Sequence, residues 1–316
     1  MQSTWARRLR LPLIAAPMFR VSGPGLVSAA CINGVIGAFP TANCRSMDEL
    51  DAWLAQIRLN LQQAQDRSGV EPAPFCPNLI MRRDNLRQEL ACLVRHRVEM
   101  VITSVGSPAP AVRQLHDIGC TVFADVASVR HAEKALASGA DGLILLTAGA
   151  GGQTGWANGF AFARAVRAFF NGPLVLAGGI SDGYALRAAR VLGCDLAYMG
   201  TRFIATTESL ASDGYKQMLL SGSLDDVQLT SAFTGLPTNM LRPSIVACGL
   251  DPEKLSEGTS AQIAAEMYGS GASAEGPRRW TDLWSAGHSV AGVDSIRSVE
   301  DLVRIVEQQY QAATPE

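Results

Sequence analysis

Eight short apolar runs, each followed by a segment of helical periodicity, constrain this chain more than any other feature. They fall at residues 13–16, 35–39, 75–80, 100–104, 121–126, 142–146, 174–177 and 196–200. An apolar run with little polar alternation is a strand buried on both faces, as in a parallel sheet covered by helices. Eight of them without a long break favour closure into a (β/α)8 TIM barrel over an open, doubly wound sheet. The intervening helices carry readable ends. Ser46 and Glu49 predict a capping box, after which Leu50, Trp53, Leu54, Ile57 and Leu61 recur at helical spacing. Ser128 opens a helix that stops at Gly139, and Asp182 opens one that stops at Gly193. Segment 298–313, capped by Ser298 and Asp301, is expected to complete the barrel wall as its eighth helix.

A barrel of this kind takes about 250 residues, and this chain has 316. The βα rhythm breaks after Thr206, and residues 207–280 read as helices and loops with scattered Gly, Ser and Pro and no clear strand. We expect residues 1–206 and 281–316 to form the barrel. Residues 207–280 are expected to be a mostly helical insertion after strand eight, a lid over the active-site mouth. Apolar residues make up 47% and charged residues 18%, which suits a large core. The net charge of −2 gives no footprint for nucleic acid or a membrane surface. The seven cysteines form no C-x-x-C pair, four of them lie inside apolar runs as small buried hydrophobes, and a reducing cytoplasm is expected. No signal-peptide core opens the chain, and no apolar run approaches the ~20 residues of a membrane span. A small-molecule substrate is the expected partner, and a homodimer is left open.

The chemistry is expected at the strand ends. Strands seven and eight each end in glycine and a small hydroxyl residue, Gly178-Gly179-Ile180-Ser181 and Gly200-Thr201. In a barrel, the loops after these strands form a phosphate cradle, and glycine lets backbone N–H groups approach the anion. Strand one ends Ala16-Pro17-Met18, whose backbone can meet the edge of a flat ring, and strand three carries Asn78, whose amide both donates and accepts. Strand six runs into a loop with four glycines in seven residues, Gly149 to Gly155, followed by Trp156 as a candidate pocket wall. The same phosphate strands would also serve a flavin-free isomerase or metabolite-binding barrel.

In these segments, Ala15 to Met18, Gly151 to Gly155, Ala177 to Gly183 and Met199 to Phe203, the chain resembles the nitronate monooxygenase (2-nitropropane dioxygenase) family of FMN-dependent barrels. That family includes flavin-dependent enoyl-thioester reductases and NAD(P)H:quinone reductases. The likeness runs from about residue 11 to the C-terminus. It implies that Ala16, Pro17 and Met18 line the flavin ring and that Asn78 contacts the isoalloxazine or ribityl chain. Gly151 and Gly152 should lie near the ring and ribityl chain, while Gly178, Gly179, Gly200 and Thr201 hold the phosphate through backbone N–H groups and one hydroxyl. No Gly-x-Gly-x-x-Gly follows the first strand, so NAD(P)H, if it is the electron donor, would bind transiently over the flavin.

Three positions depart from the family pattern. Gln153 stands where the glycine loop usually has histidine, and Gly149 where it often has glutamate. Glutamine cannot act as a base near neutral pH. Proton abstraction from a neutral nitroalkane is therefore not expected, whereas an anionic nitronate needs no base. His288 occupies a late segment where the family commonly has glutamine. It is a candidate for the acid/base or substrate-orienting role, with loop capping or a bond near the phosphate as the alternative. Phe233, in the insertion, is expected either on the substrate side or in lid packing. His96, His116 and His131 read as structural or exposed, and no pair has zinc-ligand spacing, so no metal is expected. The expected activity is FMN-dependent oxidation of an alkyl nitronate by O2 to a carbonyl compound and nitrite. The alternative is NAD(P)H-dependent flavin reduction of an enoyl thioester or quinone.

Overall fold

The computed structural model describes residues 4–258, 262–263 and 277–313. The eight apolar runs are strands, displaced from expectation by no more than a residue at either end. They are β1 (Leu13–Ala15), β2 (Ile36–Pro40), β3 (Phe75–Ile80), β4 (Met100–Ser104), β5 (Thr121–Val126), β6 (Gly142–Leu146), β8 (Leu174–Ala177) and β9 (Leu196–Met199). All pair in parallel in the order β1-β2-β3-β4-β5-β6-β8-β9, and the barrel closes where Ile14 lies opposite Tyr198. The helices between them are α1 (Pro24–Ile32), α2 (Met47–Ser68), α3 (Leu86–Arg95), α4 (Ala109–His116), α5 (Val129–Ala137), α6 (Gly159–Arg167) and α7 (Gly183–Val191). The C-terminal helix Val299–Ala312 packs against α7 and α1 and completes the wall, as anticipated.

The caps follow the residue chemistry. Ser128, Asp182 and Ser298 accept the N–H of His131, Ala185 and Asp301 respectively, and Gly139 and Gly193 take φ values of 92° and 95° past their helices. The box at α2 is half formed: Ser46 accepts from the Glu49 N–H at 3.1 Å, but the Glu49 carboxylate reaches past it to the Arg45 N–H at 2.6 Å.

Strand alternation turns Ile14, Ile36, Cys76, Ile102, Phe123, Ile144 and Val175 into one cluster inside the barrel. Trp5, on the 3-10 turn Thr4–Arg8, joins that cluster edge-on to Phe123 with ring centroids 6.3 Å apart. It borders a surface hollow with Gly119, Cys120, Thr121, Asp141 and Pro173, all at the starts of strands. The N-terminal end of the barrel is thus stoppered.

After β9 come the short helix α8 (Thr201–Ile204), α9 (Asp213–Ser221), and then two strands that were not expected, β10 (Val227–Thr230) and β11 (Thr238–Leu241), followed by α10 (Arg242–Ala247). The hairpin is antiparallel, and β11 pairs in turn with β7 (Gly152–Gln153) from the glycine loop, Thr238 opposite Gln153. The expectation of a strand-free insertion is corrected here. The partner strand is two residues long and lies more than 80 residues away in sequence, so local periodicity carries no sign of it. Part of the expected insertion, 259–261 and 264–276, lies outside the described residues.

All seven cysteines are free and six are buried. Burial pushes the thiols of Cys31 and Cys44 up to about 12 and that of Cys194 up to about 11, which makes them poor nucleophiles. Among the described residues, no helix is long and apolar enough to cross a membrane.

Candidate active site

The site is assembled from strand ends at the C-terminal mouth of the barrel. At the tip of β1, the Ala16 N–H donates to the Met199 carbonyl at 2.9 Å, which ties the first strand to the last. The turn beyond it is held by side chains. Ser22 Oγ accepts from the Met18 N–H (3.0 Å) and donates to the Ala16 carbonyl (3.2 Å), while Asn43 Nδ2 donates to the carbonyls of Met18 (3.0 Å) and Ser22 (2.9 Å). A Cβ placed on Gly200 would touch Ala16 Cβ at 3.6 Å and Met18 Sδ at 3.5 Å, so Ala16, Met18 and Gly200 share one corner.

The paired glycine tips lie side by side because Ala177 of β8 is opposite Tyr198 of β9. Gly178 and Gly179 have φ values of 116° and 72°, in the region that disfavours side chains. A Cβ on Gly178 would lie 2.3 Å from Thr147 Oγ1 and 2.8 Å from the Ala150 nitrogen, whereas one on Gly179 would meet nothing within 4 Å. Gly178 is therefore packed into the protein and Gly179 faces open space. Thr147 locks the first of these by donating its hydroxyl to the Ala177 carbonyl at 2.7 Å. The Thr201 hydroxyl accepts from the Gly287 N–H at 3.0 Å, leaving its own hydrogen available to a ligand.

His288 lies at the junction of these parts. Its backbone N–H donates to the Gly149 carbonyl at 3.0 Å. A Cβ on Gly149 would be 3.2 Å from His288 Nδ1 and 3.3 Å from the Gly179 nitrogen, so imidazole, glycine loop and phosphate tip converge there. Gly151 packs backbone to backbone on the same segment, its absent Cβ falling 2.6 Å from the Gly287 nitrogen. The loop is pinned from the other side by Asn239 of β11, whose buried amide donates to the carbonyls of Ala148 (2.8 Å) and Ala150 (2.7 Å). Gly152 and Gln153 form β7, and the Gln153 side chain is exposed.

Two expected pocket residues stand elsewhere. Phe233 is fully buried in an apolar cluster with Met240, Ile245 and Leu283, so it packs the inserted hairpin rather than facing a substrate. Trp156 is 82% exposed and forms no packed wall. His96 Nε2 bonds Asp51 at 2.8 Å. Cys92 joins them with ligand atoms within 4.8 Å, but Arg95 holds the same carboxylate, so this reads as an ion-pair network. His116 pairs with Asp141 at 2.9 Å, and His131 lies in the first turn of α5.

Asn78 is 5% exposed. Its Oδ1 accepts from Ser104 Oγ at 3.2 Å, and its Nδ2 is buried with no partner among the described residues. Its strand end is braced by the Thr41 hydroxyl, 3.1 Å from the Asn78 carbonyl and 2.8 Å from the buried Glu89. Sequence reasoning missed Asn239, Thr147, Asp125 and Tyr198. The Asp125 Oδ1 and the Tyr198 hydroxyl are also buried without a partner among the described residues, and burial pushes the Asp125 carboxyl up to about 7. A single acid in an otherwise apolar strand was the available signal. Open space at a glycine tip, and unpartnered polar atoms on three strands, suit a ligand with an anionic end and a hydrogen-bonding ring.

The profile of the nitronate monooxygenase family matches residues 4–308. The chain belongs to the nitronate monooxygenase family. It is an oxidoreductase, which sets aside a barrel that merely binds or isomerises a phosphorylated metabolite. A nitronate monooxygenase of Paraburkholderia phytofirmans is 25% identical over 95% of this chain and 93% of its own length. A Mycobacterium tuberculosis (3aS,4S,5R,7aS)-5-hydroxy-7a-methyl-1-oxo-octahydro-1H-indene-4-carboxyl-CoA dehydrogenase is 28% identical over 82% of this chain and 70% of its own. Among solved structures, nitroalkane oxidase from Streptomyces ansochromogenes matches with a TM-score of 0.81 at 23% identity, covering 98% of this chain and 99% of that one. FabK from Thermotoga maritima matches with a TM-score of 0.76 at 22% identity, covering 96% and 94%. At such identities these two likenesses speak to the fold.

Proposed function

We propose that this nitronate monooxygenase family member is an FMN-dependent enzyme that oxidises an alkyl nitronate with O2 to a carbonyl compound and nitrite. The observation that carries the reading is the meeting of Gly179, Gly149 and His288 at an open strand tip beside Gly200 and Thr201. Bound there, FMN would supply the electron transfer between substrate and oxygen. The chain's own residues bind and orient. Gly178, Gly179, Gly200 and Thr201 would hold the phosphate through oriented N–H groups and one hydroxyl. Ala16, Pro17 and Met18 would line the ring, Asn78 Nδ2 would donate to a ring acceptor, and Gly151 and Gly152 would let the loop lie against the cofactor. His288 would orient the substrate or hold a proton beside it. Gln153 fits a substrate that arrives already anionic, because no base is needed to form it. Residues 207–280 would act as the lid, with the hairpin on β7 excluding water from the mouth.

The relative that acts as a carboxyl-CoA dehydrogenase favours a second reading, oxidation or reduction of an acyl thioester, with NAD(P)H as a transient donor where reduction is the direction. Stopped-flow mixing separates the two. On the first reading the purified protein is yellow, and an alkyl nitronate bleaches the flavin band anaerobically while NAD(P)H does not. Bleaching by NAD(P)H followed by recolouring with an enoyl-CoA reverses the order, and a colourless protein that takes up no FMN rejects both.

A further inference from the structure

Asn78 has an expected partner in the ring of a bound cofactor, but Asp125 and Tyr198 have been given none. Both point into the barrel: Asp125 is two residues beyond Phe123 and Tyr198 two beyond Leu196, and Phe123 and Leu196 belong to the interior cluster. Each is the next-to-last residue of its strand, so both lie toward the mouth. Both residues are half-buried as a whole, but the Asp125 Oδ1 and the Tyr198 hydroxyl oxygen are themselves buried, and neither makes a hydrogen bond among the described residues. A carboxyl in that condition is costly unless something absent from the protein completes it.

The surroundings decide its form. Across β6, Ile144 stands opposite Asp125, and β4 presents Ile102 beside Phe123. The titratable groups that feel its charge are Cys76 of β3 and Tyr198 of β9, both pushed well above their ordinary values, so both keep their protons near neutral pH. No lysine, arginine or histidine contributes to the state of Asp125, for which burial is the one cause. Below neutral pH it is therefore a neutral acid, which offers one O–H donor.

We propose that Asp125, as a neutral carboxylic acid, donates a hydrogen bond to an acceptor atom of the heterocycle bound at the barrel mouth, with the Tyr198 hydroxyl as a second donor beside it. This rests on the FMN reading above and extends it to residues on the inner side of the ring. With the cofactor bound, that bond holds the proton to a higher pH than in the ligand-free protein, and its loss replaces a donor with a carboxylate facing the same acceptor. The ring's electronic surroundings then change at a pH set by one residue.

The test is a pH titration, from 5.5 to 9, of the visible spectrum of FMN-loaded wild type, Asp125→Asn and Asp125→Leu, together with FMN affinity by fluorescence quenching at pH 6. The expected result is a shift of the flavin band in the wild type with a midpoint above about 7, the value of Asp125 without ligand, because the bond to FMN favours the protonated form, and no shift in either variant. Asparagine still donates, so it should hold FMN within about threefold of wild type. Leucine cannot, so it should weaken binding by about tenfold, the equivalent of one hydrogen bond. Tyr198→Phe should leave the titration and weaken binding by a smaller factor. A wild-type spectrum flat across this range, or a titration retained in Asp125→Asn, overturns the inference and leaves FMN binding standing. A wild type that takes up no flavin overturns the inference together with the reading beneath it. Should the leucine variant not fold, wild type against Asp125→Asn decides alone.

Discussion

The two neighbouring glycines at the tip of β8 do different work, and substitution separates them. Gly178 is enclosed: an added Cβ would meet Thr147 Oγ1 at 2.3 Å and the Ala150 nitrogen at 2.8 Å. Gly178→Ala should lose about 1–3 kcal/mol of stability in urea unfolding, from clash and a disfavoured φ together. Gly179 has the same handedness problem but no neighbour within 4 Å. Gly179→Ala should therefore cost only about 1–2 kcal/mol while weakening FMN binding by at least about tenfold, since its methyl enters the space proposed for the phosphate. Equal FMN affinity in Gly179→Ala and wild type, by fluorescence quenching, would put the anion elsewhere. These glycines were readable in the sequence because glycine at a strand end is itself the signal. Asp125 left only a partial mark, one acid in an otherwise apolar strand, because what a carboxyl does not touch is decided by the whole fold. Phe233 was left open between substrate side and lid packing because an aromatic residue in a loop can serve a pocket or a small core equally well, and the fold selects the core.

The barrel strands were readable because burial on both faces writes itself as an unbroken apolar run, and the helix caps because one side chain satisfies one local N–H. The inserted hairpin lacked both marks. Val227 and Gln228 of β10 are partly buried and Leu229 is exposed, while β11 owes its register to a partner inside a glycine loop. The two are joined by Asn239, which spans from β11 to the carbonyls of Ala148 and Ala150. Asn239→Leu removes both bonds and strands one buried and one part-buried carbonyl. It should cost about 1–3 kcal/mol and raise amide exchange across residues 148–153 more than in the barrel strands. Uniform protection in the variant, read by hydrogen-exchange mass spectrometry, would show that the hairpin does not order the loop. At the far end of the chain, Ser298→Ala should lower stability by about 1 kcal/mol through the lost N-cap on the helix that closes the wall.

Asp125 also imposes a pH dependence on the stability of the protein stripped of ligand. Unfolded, its carboxyl ionises near 3.8; folded, it keeps its proton up to about 7. The unfolded state thus releases the proton first, and stability falls as pH rises from about 4 to about 7, then levels. The carboxylates pushed below their ordinary values, such as Asp51 and Asp301, act below that window. Asp125→Asn does not titrate, so its unfolding free energy should gain on that of wild type steadily between pH 4.5 and 7 and run parallel above. Urea melts across that range provide the check, and curves that stay parallel throughout would mean the carboxyl finds a partner in solution.

The stopper at the other end of the barrel has its own consequence. With Trp5 wedged beneath Phe123 and the interior filled by apolar side chains, nothing can drain through the axis. On the proposed reading, every reactant would enter by the rim bearing the glycine tips, and every product would leave by it. Two molecules that need the same face of a cofactor seated there would have to take turns, so departure of the first sets when the second can begin.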